Sequence, residues 1–352
     1  MILVRLKNLV RLVFNTGEAR REAVRMHAFN QAHRLTPFVG VERDGVRYVL
    51  STRERGVGFS TFVFGSFDED TVNGMLIALE QHAGISTLNG LSVLDVGANI
   101  GTVAVSLLVR HGVERVVAVE PDAENVRMLR ANLALNGVQD RVEIHQIALS
   151  DTDDTLVLEA STSNCGDHRI RVAEPFGPDL HDEGQRTTTE ISARRLDSLG
   201  DANEIDMDNI DLVWMDAQGH EAHILAGAEQ LAAAGTPVVT EYWPYGLRRV
   251  GALERFHALV AERYSLVVDL RDPNVAIDAR DVADLADRYA ADQGSDPSVP
   301  YTDLLLLSAD RPAVNAAVQA RPGVAGGLAE HRRRRSRPED LRSGAQKTGV
   351  SE

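Results

Sequence analysis

Residues 93–108, VLDVGANIGTVAVSLL, constrain this 352-residue chain more than any other stretch. An apolar run that stops at Asp95, then Gly97 and Gly101, then helix formers, reads as a buried strand turning tightly into a helix. Glycine lacks a Cβ, so such a loop predicts backbone amides at a helix start with a ligand close to them. A dinucleotide fold spaces its glycines as G-x-G-x-x-G around pyrophosphate. Here the order is Asp95-Val96-Gly97-Ala98-Asn99-Ile100-Gly101, without the middle glycine. Asp95 also disfavours pyrophosphate, because a carboxylate repels it and pairs with an ammonium instead, directly or through water.

From residue 91 onward, apolar strands alternate with amphipathic helices, the pattern of a doubly wound, mostly parallel α/β sheet covered on both faces. Seven strands are expected: LSVLDV, RVVAVE, RVEIHQIAL, IDLVWMD, PVVTEY, SLVVDL and TDLLLLS. EAHILAGAEQLAAAG after the fourth reads as one helix. The long connection at about 152–208 holds DTLVLEA, HRIRVAE and TTTEISARRL, short strands of a β-rich insertion. Residues 1–85 read as an N-terminal cap of helices and a hairpin turning at Asp44-Gly45, 86–310 as the main domain, and 311–352 as a flexible tail rich in Ala, Gly, Pro and Arg.

With 37 Lys+Arg against 52 Asp+Glu, the formal charge of −15 repels a phosphate backbone, so no nucleic-acid partner is expected, and arginines 332–335 read as part of a solvated tail. Cys165 is the only cysteine, which excludes an intrachain disulfide and a cysteine-built zinc site and fits a reducing, cytoplasmic setting. Residues 1–14 are amphipathic, but Arg5, Lys7 and Arg11 interrupt what a signal peptide would keep apolar. A packing or homodimer helix is the leading reading of that segment, with weak membrane-surface contact as the alternative. No apolar run is long enough to span a bilayer.

The D-x-G-x-x-x-G loop resembles motif I of the Rossmann-like methyltransferases that use S-adenosylmethionine (SAM). VLDVGANIGTVAV, AVEPDAENVRMLRANLALNG, IALSD, RRLDSL, IDLVWMDAQGHEAHILAGA and VVTEY follow in the order seen in the FkbM methyltransferases, which typically act on hydroxyl groups. The resemblance covers about residues 91–242 and implies SAM as cofactor and a small-molecule acceptor bearing a hydroxyl, of sugar, glycolipid or polyketide type. It implies a cofactor site of Asp95, Gly97, Asn99, Gly101, Glu120, Pro121 and Asp151, with Glu120 accepting from ribose hydroxyls; Asp151, after the third strand, either accepts from the adenine amino group or is a solvated loop acid. Asn164 and Gly166 resemble an Asn-x-Gly stretch in the family's insertion. Asp216-Ala217-Gln218-Gly219-His220-Glu221 departs from the family's usual Asp-x-Glu-Gly-x-Glu at Gln218.

Methyl transfer to an alcohol needs an in-line acceptor and a base near its proton. The strand order places Asp216, His220, Glu221 and Glu241 near the reacting end, with Asp216 and His220 as the first pair and Glu241 beside them. Asp216, Glu221 and Glu241 have the oxygen chemistry of a divalent-cation site, but no metal is assigned. Cys165 and His168 either face the acceptor or are incidental. Two other readings stay open: a nicotinamide-dependent dehydrogenase, which the glycine spacing disfavours, and a non-catalytic SAM-binding module.

Overall fold

The computed structural model describes residues 17–173, 175, 185–291 and 301–308. The predicted amphipathic start, at 1–14, and the tail, at 311–352, lie outside them.

The cap opens with α1 (Glu18–Ala32), the antiparallel hairpin β1 (Phe38–Arg43) and β2 (Val46–Ser51), then α2 (Val57–Phe64) and α3 (Glu69–Ala83). The hairpin turns at Asp44 and Gly45, both at positive φ, as the Asp-Gly pair predicts. Its inward side chains, Val46, Tyr48 and Leu50, are buried in one apolar cluster with Met75 and Leu79 of α3 and Leu91 and Val93 of the main fold. Two asparagines complete the junction: Asn132 Oδ1 accepts from Val49 N at 2.8 Å while its Nδ2 donates to Ile100 O at 2.8 Å, and Asn136 Oδ1 accepts from Arg47 N at 2.9 Å. The cap is therefore pinned to the loop that carries the glycines.

The main fold continues through β3 (Ser92–Val96), α4 (Thr102–Arg110), β4 (Arg115–Val119), α5 (Ala123–Leu135) and β5 (Val142–His145). The insertion supplies β6 (Ala148–Leu149), β7 (Asp154–Ala160), β8 (Arg169–Ile170) and β9 (Thr187–Arg194). After α6 (Leu196–Asp201) come β10 (Leu212–Met215), α7 (Glu221–Ala226), α8 (Glu229–Ala233), β11 (Val238–Tyr242), α9 (Pro244–Arg249) and α10 (Leu253–Arg263). The fold closes with β12 (Leu266–Asp269), β13 (Ala276–Asp278), α11 (Asp284–Ala291) and β14 (Thr302–Leu307).

The main sheet has the order β13-β12-β14-β11-β10-β3-β4-β5, parallel from β11 through β5, with β14 antiparallel to both neighbours. All seven expected strands are in place, and β13 adds an eighth at the edge. Its three residues are too few to alternate detectably. RVEIHQIAL divides into two strands: β5 closes the main sheet and β6 begins the separate insertion sheet, ordered β6-β9-β7-β8. The single helix expected at residues 221–235 is also two, broken at Gly227, where a Cβ would come within 2.1 Å of Ser150 O.

Val93, Leu94, Val116, Ala118, Val213 and Val239 are almost wholly buried, as expected where helices cover both faces of a parallel sheet. The chain runs from β3 to β4 and β5 on one side, then returns to β10 and β11 on the other. That reversal opens a crevice beyond the C-terminal ends of β3, β4, β10 and β11, where ligands of such sheets bind.

Candidate active site

A cavity of about 800 Å3 fills this crevice. Gly97, Ala98 and Asn99 form part of its wall after β3, Glu120 and Pro121 after β4, Ala148 and Leu149 from the insertion, and Asp216, Gln218 and Glu241 after β10 and β11. The cap closes one side with Phe67, Asp68 and Thr71, and the β14 end adds Tyr301 and Asp303.

The glycine loop is built differently from an amide cradle. Gly97 N and Ala98 N both donate to Val119 O, Asn99 N donates to Glu120 Oε2 at 2.8 Å, Ile100 N to Asn99 Oδ1 at 2.6 Å, and Gly101 N to Ala98 O. All five amides are used inside the protein, so the loop presents a wall to a ligand and no phosphate nest. Gly97 is required instead by the neighbouring strand, since its φ is +82° and a Cβ would stand 1.9 Å from Asp216 O. Gly101, φ +86°, precedes α4 and packs on Leu129; it is not among the residues that line the cavity. Asn99 takes the left-handed conformation at φ +52° and holds the loop with its own side chain.

Glu120 is 4 % exposed and fixed on two sides, Oε2 by Asn99 N and Oε1 by Asp122 N at 2.9 Å, with Asn125 Nδ2 at 3.4 Å. Burial raises its pKa to about 7. Its remaining lone pairs are those a pair of ribose hydroxyls would use. Asp95 is buried beneath the wall rather than in it, and Oδ2 has no hydrogen-bond partner. Burial, then the charges of Glu120 and Asp216, push its pKa up to about 7. Asp95 is not among the residues that line the cavity, so neither of the two expected routes to a ligand ammonium, direct or through water, is a contact of this wall.

Two sequence expectations are overturned. Asp151 does not line the cavity; its carboxylate pairs with Arg255 of α10 at 2.6 Å, which holds its pKa down against partial burial. The Asp216–His220 pair is not made. His220 lies at the cavity wall, but Nε2 meets Ser150 Oγ at 3.0 Å and the ring stacks on His223 at 4.4 Å. Burial, then His223, lowers its pKa to about 3, which leaves a weak base on the side of Ala148 and Leu149.

Asp216 is joined to Glu241 instead. Gln218 Nε2 donates to Asp216 Oδ1 at 2.7 Å and to Glu241 Oε2 at 3.1 Å, from a backbone held at φ +53°. Burial raises the pKa of both carboxyls, that of Glu241 well above its usual range, where Asp216 adds to the effect. Glu221 holds the turn by accepting from Ala217 N and Gly219 N through Oε1. One carboxylate oxygen each from Asp216, Glu221 and Glu241 lie within 4.8 Å of one another, a spacing a divalent cation could bridge. Gln218 already links two of the three. Of the aromatic run, Trp243 lines the cavity under Arg169, 4.6 Å from its ring, whereas Tyr242 is buried with its hydroxyl on His257. Cys165 and His168 also line the cavity; Cys165 Sγ donates to Asn99 Oδ1 at 3.3 Å, and His168 Nδ1 accepts from Ser161 N.

Sequence reasoning missed the side built by Asp68, Thr71, Tyr301 and Asp303. Asp68 and Thr71 flank the start of a helix in the cap and Asp303 sits inside an apolar strand, so neither carried a motif. The one available signal was the carboxylate in TDLLLL, at a position an otherwise buried strand would fill with an apolar residue.

Residues 95–257 match the family model described as methyltransferase FkbM domain. A 2-O-methyltransferase, NoeI, of Sinorhizobium fredii (strain NBRC 101917 / NGR234) is 28 % identical over 157 residues, covering 43 % of this chain and 62 % of that protein. A ribosomal protein L11 methyltransferase of Sorangium cellulosum (strain So ce56) is 32 % identical over 177 residues, covering 47 % and 49 % respectively. The chain thus spans less than two thirds of either relative. The crystal structure of methyltransferase FkbM from Methylobacillus flagellatus KT aligns with 82 % of this chain and 59 % of that one at 14 % identity and a TM-score of 0.38, and the fold assignment rests on the strand order above instead. The motif loop, the acidic strand ends and the sheet reversal all lie inside the segment, residues 95–257, that matches the methyltransferase FkbM domain.

Proposed function

We propose that this chain is a SAM-dependent methyltransferase acting on a hydroxyl of a small molecule. The observation that carries the reading is Glu120, a buried carboxylate in the wall of the crevice whose position is fixed by Asn99 and Asp122 before any ligand arrives. The unpartnered Asp95 Oδ2 behind the same wall, and seven lining carboxyls (Asp68, Asp70, Glu120, Asp167, Asp216, Glu241 and Asp303) against two arginines (Arg169 and Arg271), suit a cationic cofactor and not a pyrophosphate.

SAM would lie with its ribose on Glu120, its adenine toward Pro121, Ala148 and Leu149, and its amino-acid end toward the Gly97 loop; when bound it supplies an activated methyl group. The protein's part is to hold an acceptor hydroxyl at the Asp216–Gln218–Glu241 side, to exclude water, and to take up the hydroxyl proton. Asp216 is the base: burial makes its carboxylate a better proton acceptor than an exposed one, and the Gln218 amide fixes its orientation. Glu241 shares the amide, and burial, with the neighbouring charge of Asp216, holds its pKa well above the usual carboxylate range.

Among the described residues no helix is long and apolar enough to cross a membrane. The single cysteine supports a cytoplasmic location, the charge supports a small-molecule partner over a nucleic acid, and a homodimer through residues 1–14 belongs to the same proposal. Incubation with methyl-labelled SAM and an extract of the encoding organism tests the function. Label on a small molecule's hydroxyl supports it; SAM binding without any labelled product favours the non-catalytic module.

A further inference from the structure

The side of the cavity away from the glycine loop is built by segments that no motif covers. Asp68 occupies the N-cap position of α3, where an aspartate ordinarily accepts from amides of the first helical turn. Here it makes no such bond, and its side chain has no hydrogen-bond partner among the described residues. The side chain lines the cavity, where the carboxyls of Asp216, Asp303 and Asp95, from three different strands or strand ends, are its charged neighbours. Thr71, one turn along α3, donates Oγ1 to Asp303 Oδ2 at 3.2 Å and so ties the cap to β14 at this point. Tyr301 closes the same side under Arg271, 5.7 Å from its ring. An acidic side chain placed where it would cap a helix, yet turned instead into an enclosed polar space, is poised for a ligand that donates hydrogen bonds.

We propose that Asp68, assisted by Asp303, selects the methyl acceptor, and that this acceptor is a hydroxyl-rich molecule bearing no phosphate or carboxylate. The inference rests on the methyltransferase reading and deepens it. Carboxyls from the cap and from β14 that line one cavity with Asp216 offer acceptors for several hydroxyl donors of one ligand. Burial, then the charges of Asp216, Asp303 and Asp95, holds the pKa of Asp68 well above the usual carboxylate range, so an anionic acceptor here would add to a crowding of acids, and the guanidinium of Arg271 lies over the rings of Tyr289 and Tyr301. The pKa of Asp303, raised to about 7 by burial and by Asp216, reflects the same crowding of acids.

The test uses the full chain with methyl-labelled SAM and an extract of the encoding organism, comparing wild type with Asp68→Ala and Asp68→Asn, and with calorimetric SAM affinity and melting temperature measured on each. Asp68→Ala is expected to bind SAM within about twofold of wild type and to melt at the same temperature, since no cap bond is lost, while labelling falls at least tenfold. Asp68→Asn, which keeps one acceptor oxygen, is expected to fall between. The labelled product is expected to pass an anion exchanger. Unchanged labelling by Asp68→Ala, SAM affinity that falls in step with labelling, or a labelled product retained on the exchanger overturns the proposal. A wild-type protein that binds SAM and labels nothing overturns the methyltransferase reading itself, and the role of Asp68 with it.

Discussion

Gly97 gives the most quantitative handle on how the sheet shapes the site. Its φ of +82° and the 1.9 Å that would separate a Cβ from Asp216 O mean that Gly97→Ala meets two penalties at once. The positive φ costs an alanine about 1–2 kcal/mol, and forcing a methyl into backbone that cannot give way costs a further ~1–3 kcal/mol. Gly137 supplies the control: its φ is +66°, but a Cβ there would meet nothing within 4 Å, so Gly137→Ala carries only the first penalty. Urea unfolding of the two variants, read as midpoint shifts at constant slope, is expected to leave Gly97→Ala less stable by about 1–3 kcal/mol than Gly137→Ala. The extra strain falls between the ends of β3 and β10, so SAM affinity is expected to fall with Gly97→Ala and to hold with Gly137→Ala. Equal stability of the two variants would refute the claim that the strand ends, and no ligand, demand this glycine.

Asp151→Ala breaks only a partly exposed ion pair with Arg255, so stability is expected to change by ~0–1 kcal/mol and SAM affinity to stay within twofold in calorimetry. His220 is held neutral in the fold, with its pKa near 3, whereas the unfolded chain protonates it near 6.5. Below pH 6.5 the unfolded state therefore binds the extra proton, and the stability His220 contributes is lost as pH falls toward 3; the stability gap between wild type and His220→Gln in urea melts is expected to narrow across that window. Asp95 and Glu120 act in the opposite sense, since pKa values raised to about 7 let the empty site keep protons that the unfolded chain has released. Binding a sulfonium beside them is expected to release protons at pH 7, more with SAM than with neutral-sulfur S-adenosylhomocysteine, as read by calorimetry in buffers of different ionisation enthalpy.

The parallel sheet was legible because buried strands and amphipathic helices alternate strongly from residue 91, and part of the crevice wall because Gly97 and Glu120 stand at strand ends. What escaped the sequence has physical reasons. The break at Gly227 depends on a contact with Ser150, remote in sequence, and β13 is too short to show a period. Asp151 was expected after the third strand at the adenine end, yet it pairs with Arg255, more than a hundred residues later, and does not line the cavity. The pairing of Asp216 with Glu241 rather than His220 follows from Gln218 adopting positive φ, which periodicity does not report. Asp68 and Asp303 met only in three dimensions, through the docking of the cap on β14.

The claim on which the rest depends is that a SAM ribose is held by Glu120 in the crevice after β4. Titration calorimetry of SAM into wild type, Glu120→Ala and Asp95→Ala measures it directly. One site per chain is expected, with Glu120→Ala weakening binding about 10- to 100-fold, the value of one or two charge-assisted hydrogen bonds, and Asp95→Ala weakening it less because Asp95 is not among the residues that line the cavity. Wild-type affinity in both variants would contradict the account.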